Sequence, residues 1–552
     1  MPSPATASRS EFAKTVDVLL TEQAQRRPDA VFAIFPGVTL TYGEVHRRAR
    51  ACAKALVKLG VKPGDHIATL MPNCADWLIA YFGGMMAGAV VAAINARYKR
   101  HELKYALAHS DAKVLLTTDL IADHVDFSPL LRDTLENLDK QPDATALDLP
   151  NAPELRAIVM FGASRQAPFL SEDDLAALSA DVPDDAIDRA RAQRTADDTS
   201  TIIYTSGTTS APKGCELTHR GLQASWSTFA NTVTLTEDET VWMPMPFYHT
   251  GGVGPMTTIL AHGASLMTQP HYEPEEVVAL VEKHRIAHLY SGFPQLSLAV
   301  VEHERFTKER FGFVRSMLNV GPEAMQRHIQ ACLPDHAVLL NLFGMTEGAG
   351  IVTFARWDAP LDVRAVSSGY PPPHTDVRVA DPESNVELPR GQPGEIQFRG
   401  GGAFKAYYKD PAATAATILP EGWVKTGDRG RMDEDGALTF LGRIKDMLKV
   451  GGENVAAAEI EAFVQAQPGV KMVQVIGIPD ARLGEAPVAF VERAAGSTIT
   501  EADIIAACDG QLAKWKIPRH VVFVTEWPMS TTKVQKFRLR DYLPPELKER
   551  AS

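Results

Sequence analysis

The chain lacks the features of a disulfide-rich, zinc-binding or membrane-spanning protein. Its 552 residues include five cysteines, and no two of them form a C-x-x-C pair, which argues against a disulfide framework and a structural zinc site. This cysteine usage suits a reducing compartment, so we expect a cytoplasmic protein. No uninterrupted apolar run reaches the ~18 residues that a membrane span requires. The nearest candidate, Trp77 to Ile94, is rich in Gly and Ala and predicts a buried helix that runs into a strand.

Negatively charged residues outnumber positively charged ones. Lysine and arginine number 56 against 68 aspartates and glutamates, which gives a formal net charge of −12. This balance argues against nucleic acid as a partner, and any basic patch for an anionic ligand has to be local. The length exceeds the roughly 250–300 residues at which one core stops growing, so we expect two or more domains.

Short apolar runs alternate with helical patterns along much of the chain. Tyr42 to Leu59 carries an apolar stripe at helical spacing, and Gly60 ends it before the strand-like run His66 to Leu70. The other predicted strands are Ala87 to Asn95, Lys113 to Thr117, Thr201 to Tyr204, Ala264 to Met267, Ile286 to Tyr290 and Val338 to Leu342. Such alternation predicts an α/β protein with largely parallel sheets that are covered on both faces. The charged stretch Asp181 to Asp198 is predicted to be a surface connection.

The segment Tyr204 to Gly214 is rich in hydroxyl groups and glycine, and it follows a predicted strand directly. Gly207 lets the backbone turn, so that N–H groups and hydroxyls can converge on anionic oxygens, while Lys213 adds a positive charge. Because Lys213 is followed by Gly214 rather than by Ser or Thr, this is not the P-loop of kinases and GTPases. The segment predicts a polyphosphate site formed by Thr205, Ser206, Gly207, Thr208, Thr209 and Lys213.

Three further segments are ambiguous when each is taken alone. Thr346 and Glu347 follow a predicted strand and suit Mg²⁺ held against phosphate oxygens, although a solvated helix start capped by Thr346 explains them equally well. Asp428 lies near two glycines and can accept both ribose hydroxyls, but such a segment is also typical of an ordinary turn. The basic segment Trp527 to Phe537 is either functional or a solvated face.

In this order, the four segments resemble those of the adenylate-forming superfamily of acyl-CoA synthetases, nonribosomal peptide adenylation domains and beetle luciferases. The likeness extends from about Leu40 to Leu539 and is strongest to bacterial medium-chain or aryl acyl-CoA ligases. Smaller matches concur at Leu40 to Tyr42, Ala87 to Val91 and Pro246 to Gly252.

The resemblance implies a two-domain architecture. A large N-terminal domain of stacked α/β layers with a barrel-like subdomain spans residues 1–444, and a small, mobile α+β domain spans residues 445–552. The implied hinge is Lys445. One orientation would bring Lys533 to the active site for adenylation, and the other would present the loop of Gly451, Gly452 and Glu453 to a thiol.

The resemblance also implies the chemistry and the residues that perform it. A carboxylic acid attacks the α-phosphorus of ATP and expels pyrophosphate, and coenzyme A then displaces AMP from the acyl-adenylate. The implied catalytic residues are Lys533, Thr346, Glu347 and His249, with Mg²⁺ near Glu347. The implied nucleotide-binding residues outside the phosphate loop are Gly321, Pro322, Glu323, Asn341, Phe343, Gly344, Asp428 and Arg443.

The coenzyme A site is implied less directly. Its candidate residues are Gly451, Gly452, Glu453 and Trp515. Trp515 lies between Lys514 and Lys516 and could stack on the nucleotide end of the cofactor. A buried tryptophan with solvated lysines beside it explains that segment equally well.

A few positions depart from the family pattern. Ser210 stands where the phosphate loop usually has glycine, Phe343 replaces the commoner tyrosine, and Thr532 precedes Lys533 in a loop that is one residue shorter. None of these changes removes an essential charge.

The acid is expected to be apolar. Amino-acid-activating relatives usually carry an aspartate just after Phe247, where this chain has Tyr248 and His249. Adaptable methionines are expected to line the pocket. Five glycines are expected to leave room for the acid: Gly251, Gly252, Gly254, Gly348 and Gly350. These features favour a medium-chain or aryl-substituted acid.

Other functions stay open. Thirteen residues follow Leu539, too few for a carrier-protein module, so free coenzyme A is the expected acceptor. The alternatives are a stand-alone adenylase that loads a carrier protein, a luciferase-like oxidoreductase, and a non-catalytic nucleotide-binding protein. The chain is expected to be a monomer or a homodimer.

Overall fold

The computed structural model of the chain describes residues 11–162, 167–205, 212–450, 453–480, 482–529 and 534–551. The chain divides into two compact units. The first unit consists of Met1–Val377 and Phe398–Val424, and the second consists of Arg378–Gln397 and Lys425–Ser552.

The strands are β1 Val31–Phe35, β2 Val38–Thr41, β3 His66–Leu70, β4 Val90–Ala93, β5 Ala112–Thr118, β6 Ala157–Phe161, β7 Thr199–Thr205, β8 Lys213–Thr218, β9 Thr240–Trp242, β10 Ser265–Met267, β11 His288–Gly292, β12 Ser316–Asn319 and β13 Val338–Leu340. They continue with β14 Leu342–Phe343, β15 Thr353–Phe354, β16 Thr375–Ala380, β17 Gly394–Gly400, β18 Ala406–Tyr407, β19 Val424–Met432, β20 Leu438–Arg443, β21 Met447–Val450, β22 Glu453–Ala456, β23 Val470–Asp480, β24 Gly484–Arg493 and β25 His520–Phe523.

The helices are α1 Val16–Arg26, α2 Tyr42–Lys58, α3 Ala75–Met86, α4 Arg100–His109, α5 Phe127–Thr134, α6 Glu172–Ala180, α7 Asp184–Arg191, α8 His219–Val233, α9 Thr250–His262, α10 Pro274–Lys283, α11 Pro294–Val301, α12 Glu323–Cys332, α13 Leu361–Val366, α14 Pro411–Thr417, α15 Ala457–Gln465, α16 Glu501–Cys508 and α17 Pro545–Ala551.

Two seven-stranded sheets form the centre of the first unit. One has the order β13-β12-β11-β9-β10-β1-β2, and the other has the order β18-β8-β7-β4-β3-β5-β6. All pairs from β13 to β1 and from β6 to β7 are parallel, while β2, β8 and β18 add antiparallel edges. The predicted α/β fold with largely parallel sheets is therefore confirmed.

Helix α2 shows how the sequence produces these elements. The Thr41 side chain accepts a hydrogen bond from the Glu44 N–H at 3.1 Å and so satisfies one of the free donors at the helix start. Val45, Ala49 and Leu56 form the buried stripe that the sequence predicts. Gly83 of α3 lies so close to α2 that a Cβ atom there would be 2.8 Å from the Cys52 side chain.

The predicted buried helix before β4 is confirmed as α3, which is followed by a fully buried strand. Within the described ranges, no helix has both the length and the apolar character needed to cross a membrane.

The prediction for Asp181 to Asp198 is wrong in part, because this segment contains α7. Ile187 and Ala190 supply a buried apolar contact, and Arg50 forms ion pairs with Asp184 and Asp188 on the exposed side. Because half of the residues of Asp181 to Asp198 are charged, the short apolar repeat of Ile187 and Ala190 is too weak a signal to predict the helix.

In the second unit, one sheet has the order β22-β21-β24-β23, and β25 also pairs with β24. Strand β24 is buried on both faces, since Val491 belongs to one apolar cluster and Phe490 to another. Residues of α15 and α16 belong to the first cluster, and Leu539 and Leu547 belong to the second. The expected large N-terminal α/β domain and smaller C-terminal α+β domain are confirmed as a fold class. The boundary at residues 444 and 445 stays a prediction.

Candidate active site

The predicted phosphate loop connects two antiparallel strands. Strand β7 ends at Thr205 and β8 begins at Lys213, and these two residues face each other in the ladder. The Thr205 hydroxyl donates to the Lys213 carbonyl at 3.4 Å. Ser206, Gly207, Thr208 and Thr209 lie outside the described residues, as does Ser210. The hairpin therefore holds both ends of the segment that was predicted to bind polyphosphate.

A tyrosine connects this hairpin to the predicted metal ligand. The Tyr407 hydroxyl donates to Glu347 Oε1 at 2.6 Å, and Lys213 Nζ lies 4.9 Å from the centroid of the Tyr407 ring. Strand β18 pairs with β8 so that Tyr407 faces Cys215, two residues after Lys213. The structure thus brings Lys213 and Glu347, which are distant in sequence, to one tyrosine, with Lys213 near its ring and Glu347 at its hydroxyl.

Sequence reasoning missed Tyr407 because its partner Glu347 is 60 residues away in the chain. Burial raises the pKa of the Tyr407 hydroxyl, and the nearby Glu347 charge raises this pKa further. The hydroxyl therefore stays protonated and available as a donor to the buried carboxylate, which is 8% exposed.

The turn that carries Glu347 is held from both sides. Residues Thr346–Gly348 form a single helical turn, and the Phe404 N–H donates to the Glu347 carbonyl at 2.8 Å. The Trp226 indole N–H donates to the Ala349 carbonyl at 2.8 Å. At Gly344, a Cβ atom would lie 1.7 Å from the Gly350 carbonyl oxygen, so glycine is needed where the chain doubles back. These contacts hold the backbone of the turn from which the Glu347 side chain extends.

The predicted adenine-binding segments leave the sheet next to each other. Gly321, Pro322 and Glu323 follow β12, whereas Asn341 follows β13, and these strands are parallel neighbours with Leu318 opposite Leu340. The carboxyl ends of parallel strands share one sheet edge, where ligands bind in open α/β sheets.

Asn341 and Phe343 are both buried at that edge. Asn341 Nδ2 donates to the Ser367 carbonyl, and Asn341 Oδ1 accepts from the Leu342 N–H, each at 2.9 Å. An amide oxygen has two lone pairs, so Oδ1 retains capacity to accept from an exocyclic amino group. Phe343 faces Thr353 in the short β14–β15 sheet.

His249 begins the segment that leads into α9. Its carbonyl accepts from the Gly252 and Val253 N–H groups, and its ring lies 5.0 Å from that of Tyr248, centroid to centroid. Burial raises the pKa of Tyr248 to about 12.

A buried residue that sequence reasoning missed holds the chain just before His249. Asn73 Oδ1 accepts from the Phe247 N–H at 2.7 Å, and Asn73 Nδ2 donates to the Met245 carbonyl at 3.0 Å. Asn73, in the loop after β3, therefore holds the segment that follows β9 in place.

The interpretation of the glycines near this segment needs correction. A Cβ atom on Gly254 would lie 1.9 Å from Trp226 Nε1, and one on Gly350 would lie 2.4 Å from the same atom. Likewise, a Cβ atom on Gly252 would lie 2.1 Å from the Pro246 carbonyl oxygen, and one on Gly348 would lie 2.6 Å from Val352 Cγ2. These four glycines make room for the protein itself, whereas Gly251 faces the Tyr290 hydroxyl.

The second unit contains the predicted ribose-binding pair. Asp428 and Arg443 face each other in the β19–β20 ladder, with Arg443 Nε 3.6 Å from Asp428 Oδ1. The predicted hinge residue Lys445 follows in the short turn Ile444–Asp446. Burial lowers the pKa of Lys445, and the neighbouring Arg443 charge lowers it further.

The predicted coenzyme A residues also belong to the second unit. Glu453 pairs with Val450 in the β21–β22 hairpin, whereas Gly451, Gly452 and Lys533 lie outside the described residues. Trp515 is 42% exposed, so the interpretation of it as a buried tryptophan is wrong. Lys516 beside it forms an ion pair with Glu459.

No three His, Cys, Asp or Glu side chains in the described part of the chain form a group that could hold a metal ion. A single carboxylate that acts together with substrate phosphates is the usual mode for Mg²⁺, and the Thr346–Glu347 pair fits that mode.

The chain matches two family profiles. The profile described as AMP-binding enzyme covers residues 20–408, and the AMP-binding enzyme C-terminal domain covers residues 459–533. The chain is 32% identical to the 3-(7a-methyl-1,5-dioxo-octahydro-1H-inden-4-yl)propanoyl:CoA ligase of Rhodococcus jostii (strain RHA1), over 94% of this chain and 97% of the relative. It is 29% identical to a mitochondrial medium-chain acyl-CoA ligase of Bos taurus, over 97% and 88% of the two chains.

A solved structure shares the fold over nearly the whole length. ATP-bound MatB from Rhodopseudomonas palustris superposes with a TM-score of 0.81 and 29% identity, over 96% of this chain and 99% of that one. The chain therefore belongs to the AMP-binding enzyme family, and it is an adenylate-forming acid–thiol ligase.

Proposed function

We propose that this ligase joins a largely apolar, medium-chain or aryl-substituted carboxylic acid to coenzyme A, with ATP and Mg²⁺, through an acyl-adenylate. The observation that carries the proposal is the cluster of Lys213, Tyr407 and Glu347, because it combines a cation and a buried carboxylate beside the predicted phosphate loop. The Bos taurus ligase, named for medium-chain acids, and the Rhodococcus jostii ligase, named for a ring-bearing propanoate, support the acid class.

In the first half-reaction, the acid's carboxylate attacks the α-phosphorus of ATP and pyrophosphate leaves. Lys213, the loop that begins at Thr205, and Lys533 supply positive charge and N–H groups to the phosphate oxygens as their charge increases. Asn341 and Phe343 hold the adenine, and Asp428 with Arg443 holds the ribose.

Glu347 and Thr346 hold Mg²⁺ in this proposal. When bound with ATP, Mg²⁺ supplies positive charge that offsets the negative charge of the phosphate oxygens. A carboxylate has about four acceptor positions, so the bond from Tyr407 leaves Glu347 with capacity for a hard cation. The Tyr407 hydroxyl keeps the carboxylate aimed in one direction.

In the second half-reaction, the coenzyme A thiol attacks the acyl carbon and AMP leaves. We propose that the domain 445–552 rotates about Lys445 between the steps, which withdraws Lys533 and presents the loop 451–453 to the thiol. Trp515, being exposed, is available to stack on the nucleotide end of coenzyme A. The five cysteines, none of which forms a disulfide, support a cytoplasmic location.

The role of Tyr407 is tested by Tyr407→Phe, which keeps the ring over Lys213 and removes the donor to Glu347. We expect the rate of adenylate formation to fall about tenfold, because a lost hydrogen bond to a charged group loosens the carboxylate. We also expect Mg·ATP to bind more weakly in titration calorimetry.

The neighbouring Tyr408→Phe is the matched control, since the Tyr408 hydroxyl donates to Asp111 at 2.8 Å instead. The control should leave both measurements unchanged. Equal effects of the two substitutions would contradict the role given to Tyr407.

The hinge is tested by Lys445→Pro. Proline fixes φ near −65°, which suits the turn that Lys445 occupies but prevents large changes of φ. We expect near-normal adenylate formation and at least tenfold slower thioester formation in single-turnover assays. Lys445→Ala removes the same ammonium while leaving φ free, so it should form thioester at close to the normal rate. If Lys445→Pro also does so, the hinge lies elsewhere.

The proposed reaction is tested by mass spectrometry of the products made from ATP, Mg²⁺ and a panel of acids, each with and without coenzyme A. The panel contains acetic, octanoic, palmitic, benzoic, cinnamic and arylpropionic acids. We expect acyl-adenylate without coenzyme A and acyl-CoA with it, with octanoic or an arylpropionic acid used best. Adenylate that never becomes thioester would favour a carrier-loading adenylase instead.

A further inference from the structure

Tyr290 has a buried side chain whose hydroxyl is left without a partner by the described residues around it. The residue lies near the carboxyl end of β11 and is 5% exposed. Across the part of the chain that the structure describes, its hydroxyl forms no hydrogen bond with another residue. A hydroxyl whose donor is unused, at the end of an otherwise buried side chain, is available to a ligand that reaches it.

Three other tyrosines of the same unit have hydrogen-bond partners within the protein. The Tyr42 hydroxyl donates to the Ala264 carbonyl at 2.6 Å, and the Tyr81 hydroxyl lies 3.0 Å from that of Thr201. Tyr272, which is partly buried, donates to the Leu296 carbonyl at 3.1 Å. These hydroxyls have structural partners and therefore need no ligand.

The surroundings of Tyr290 are apolar or already bonded. Its ring packs 5.5 Å from that of Trp226 and 6.3 Å from that of Phe229, centroid to centroid. The Trp226 N–H is occupied by the Ala349 carbonyl. Beside the hydroxyl lies Gly251, where a Cβ atom would be only 2.8 Å from the oxygen. A side chain at this position would collide with the hydroxyl, so glycine is needed beside it.

The position of Tyr290 relates it to the candidate site. Strand β11 lies between β9 and β12 in the parallel sheet, and the segments after these neighbours contain His249 and Gly321 respectively. Because parallel strands end at one edge, the hydroxyl lies where the predicted acid-binding segments leave the sheet.

We propose that the Tyr290 hydroxyl donates a hydrogen bond to an acceptor oxygen, a ketone or an ether, on the body of the bound acid. This inference rests on the proposed function and refines its substrate class to an apolar acid with one acceptor oxygen away from the carboxylate. Burial raises the pKa of Tyr290, so the group remains a donor across the working pH range.

The test compares octanoate with 4-oxo-, 5-oxo-, 6-oxo- and 7-oxo-octanoate in acyl-CoA formation. We expect one oxo acid to exceed octanoate about tenfold in kcat/KM, since a site built to donate a hydrogen bond discriminates against an analogue that lacks the acceptor. Tyr290→Phe should abolish that preference while leaving octanoate turnover within about twofold. Binding of the preferred oxo acid, followed by calorimetry, should weaken about tenfold in the same variant.

Two further variants distinguish recognition from structure. Tyr42→Phe should lower the Tm, because the Ala264 carbonyl loses its donor, whereas Tyr290→Phe should not lower it. Tyr248→Phe is the second comparison, since that tyrosine is also buried in the segment before α9. It should keep the preference for the oxo acid.

Three results would overturn the assignment: no oxo acid preferred over octanoate, a preference retained in Tyr290→Phe, or a preference lost only in Tyr248→Phe. Absence of acyl-CoA from every acid, octanoate included, would instead contradict the proposed function itself.

Discussion

Replacement of Lys533 by alanine is expected to lower the rate of adenylate formation about 10²–10³-fold, the range typical of one preorganised electrostatic group. The family resemblance gives this lysine its role, which is to stabilise charge on the α-phosphate during the attack. A lysine that acts in one orientation of the C-terminal domain contributes to one half-reaction only. We therefore expect thioester formation from a supplied acyl-adenylate to change less than tenfold.

The two half-reactions are separable by experiment. Pyrophosphate release without coenzyme A measures the first step, and mixing purified acyl-adenylate with coenzyme A measures the second. Lys536→Ala serves as a control, because Lys536 belongs to the same basic segment but forms an ion pair with Glu461 at 2.6 Å. Equal losses in both steps for Lys533→Ala would reject the two-orientation mechanism.

Glu347→Gln is expected to have a comparable effect on adenylation, about 10²–10³-fold, because it removes the charge that would hold Mg²⁺. The shape of the side chain is kept, and the glutamine oxygen can still accept from Tyr407. A buried charge is costly when its counter-ion is missing, so the neutral amide should not lower the Tm of the protein without ATP. We therefore expect Glu347→Gln to lower the rate of adenylation strongly and to leave the Tm unchanged or raise it.

A carboxylate on the strand that begins at Lys213 supplies the control for this variant. Glu216 on β8 accepts from the Thr199 hydroxyl at 2.9 Å, so Glu216→Gln changes charge near the site without touching the Tyr407 cluster. Adenylation should change less than about twofold. A loss in Glu216→Gln as large as that in Glu347→Gln would mean that total charge, and not a metal ligand, determines the rate.

Much of the fold could be predicted because its elements are local in sequence. The predicted strands His66 to Leu70 and Thr201 to Tyr204 correspond to β3 and β7, and their parallel order follows from the helices between them. Several candidate site residues could also be predicted, because each group, such as Thr346 with Glu347, is contiguous. In a contiguous motif, the residue types and their spacing indicate the chemistry without knowledge of the tertiary structure.

Contacts between distant segments could not be predicted in this way. Tyr407 reaches Glu347 only because β18 pairs with β8, and a two-residue strand has no recognisable pattern. No local sequence pattern marks Asn73, although it holds the segment before His249. The glycines were interpreted as lining a pocket because the place of Trp226 depends on the whole tertiary structure.

The packing of Trp226 against Gly254 and Gly350 has a consequence for how substrate range can change. A larger residue at either glycine would collide with the indole. A single substitution there should therefore destabilise the protein and not simply reduce the volume of the acid pocket. Gain of a new acid specificity at these positions requires a smaller residue at Trp226 first. Gly251 depends on Tyr290 in a similar way, since a Cβ atom there would lie 2.8 Å from the tyrosine hydroxyl, so a larger residue at this position requires a change at Tyr290.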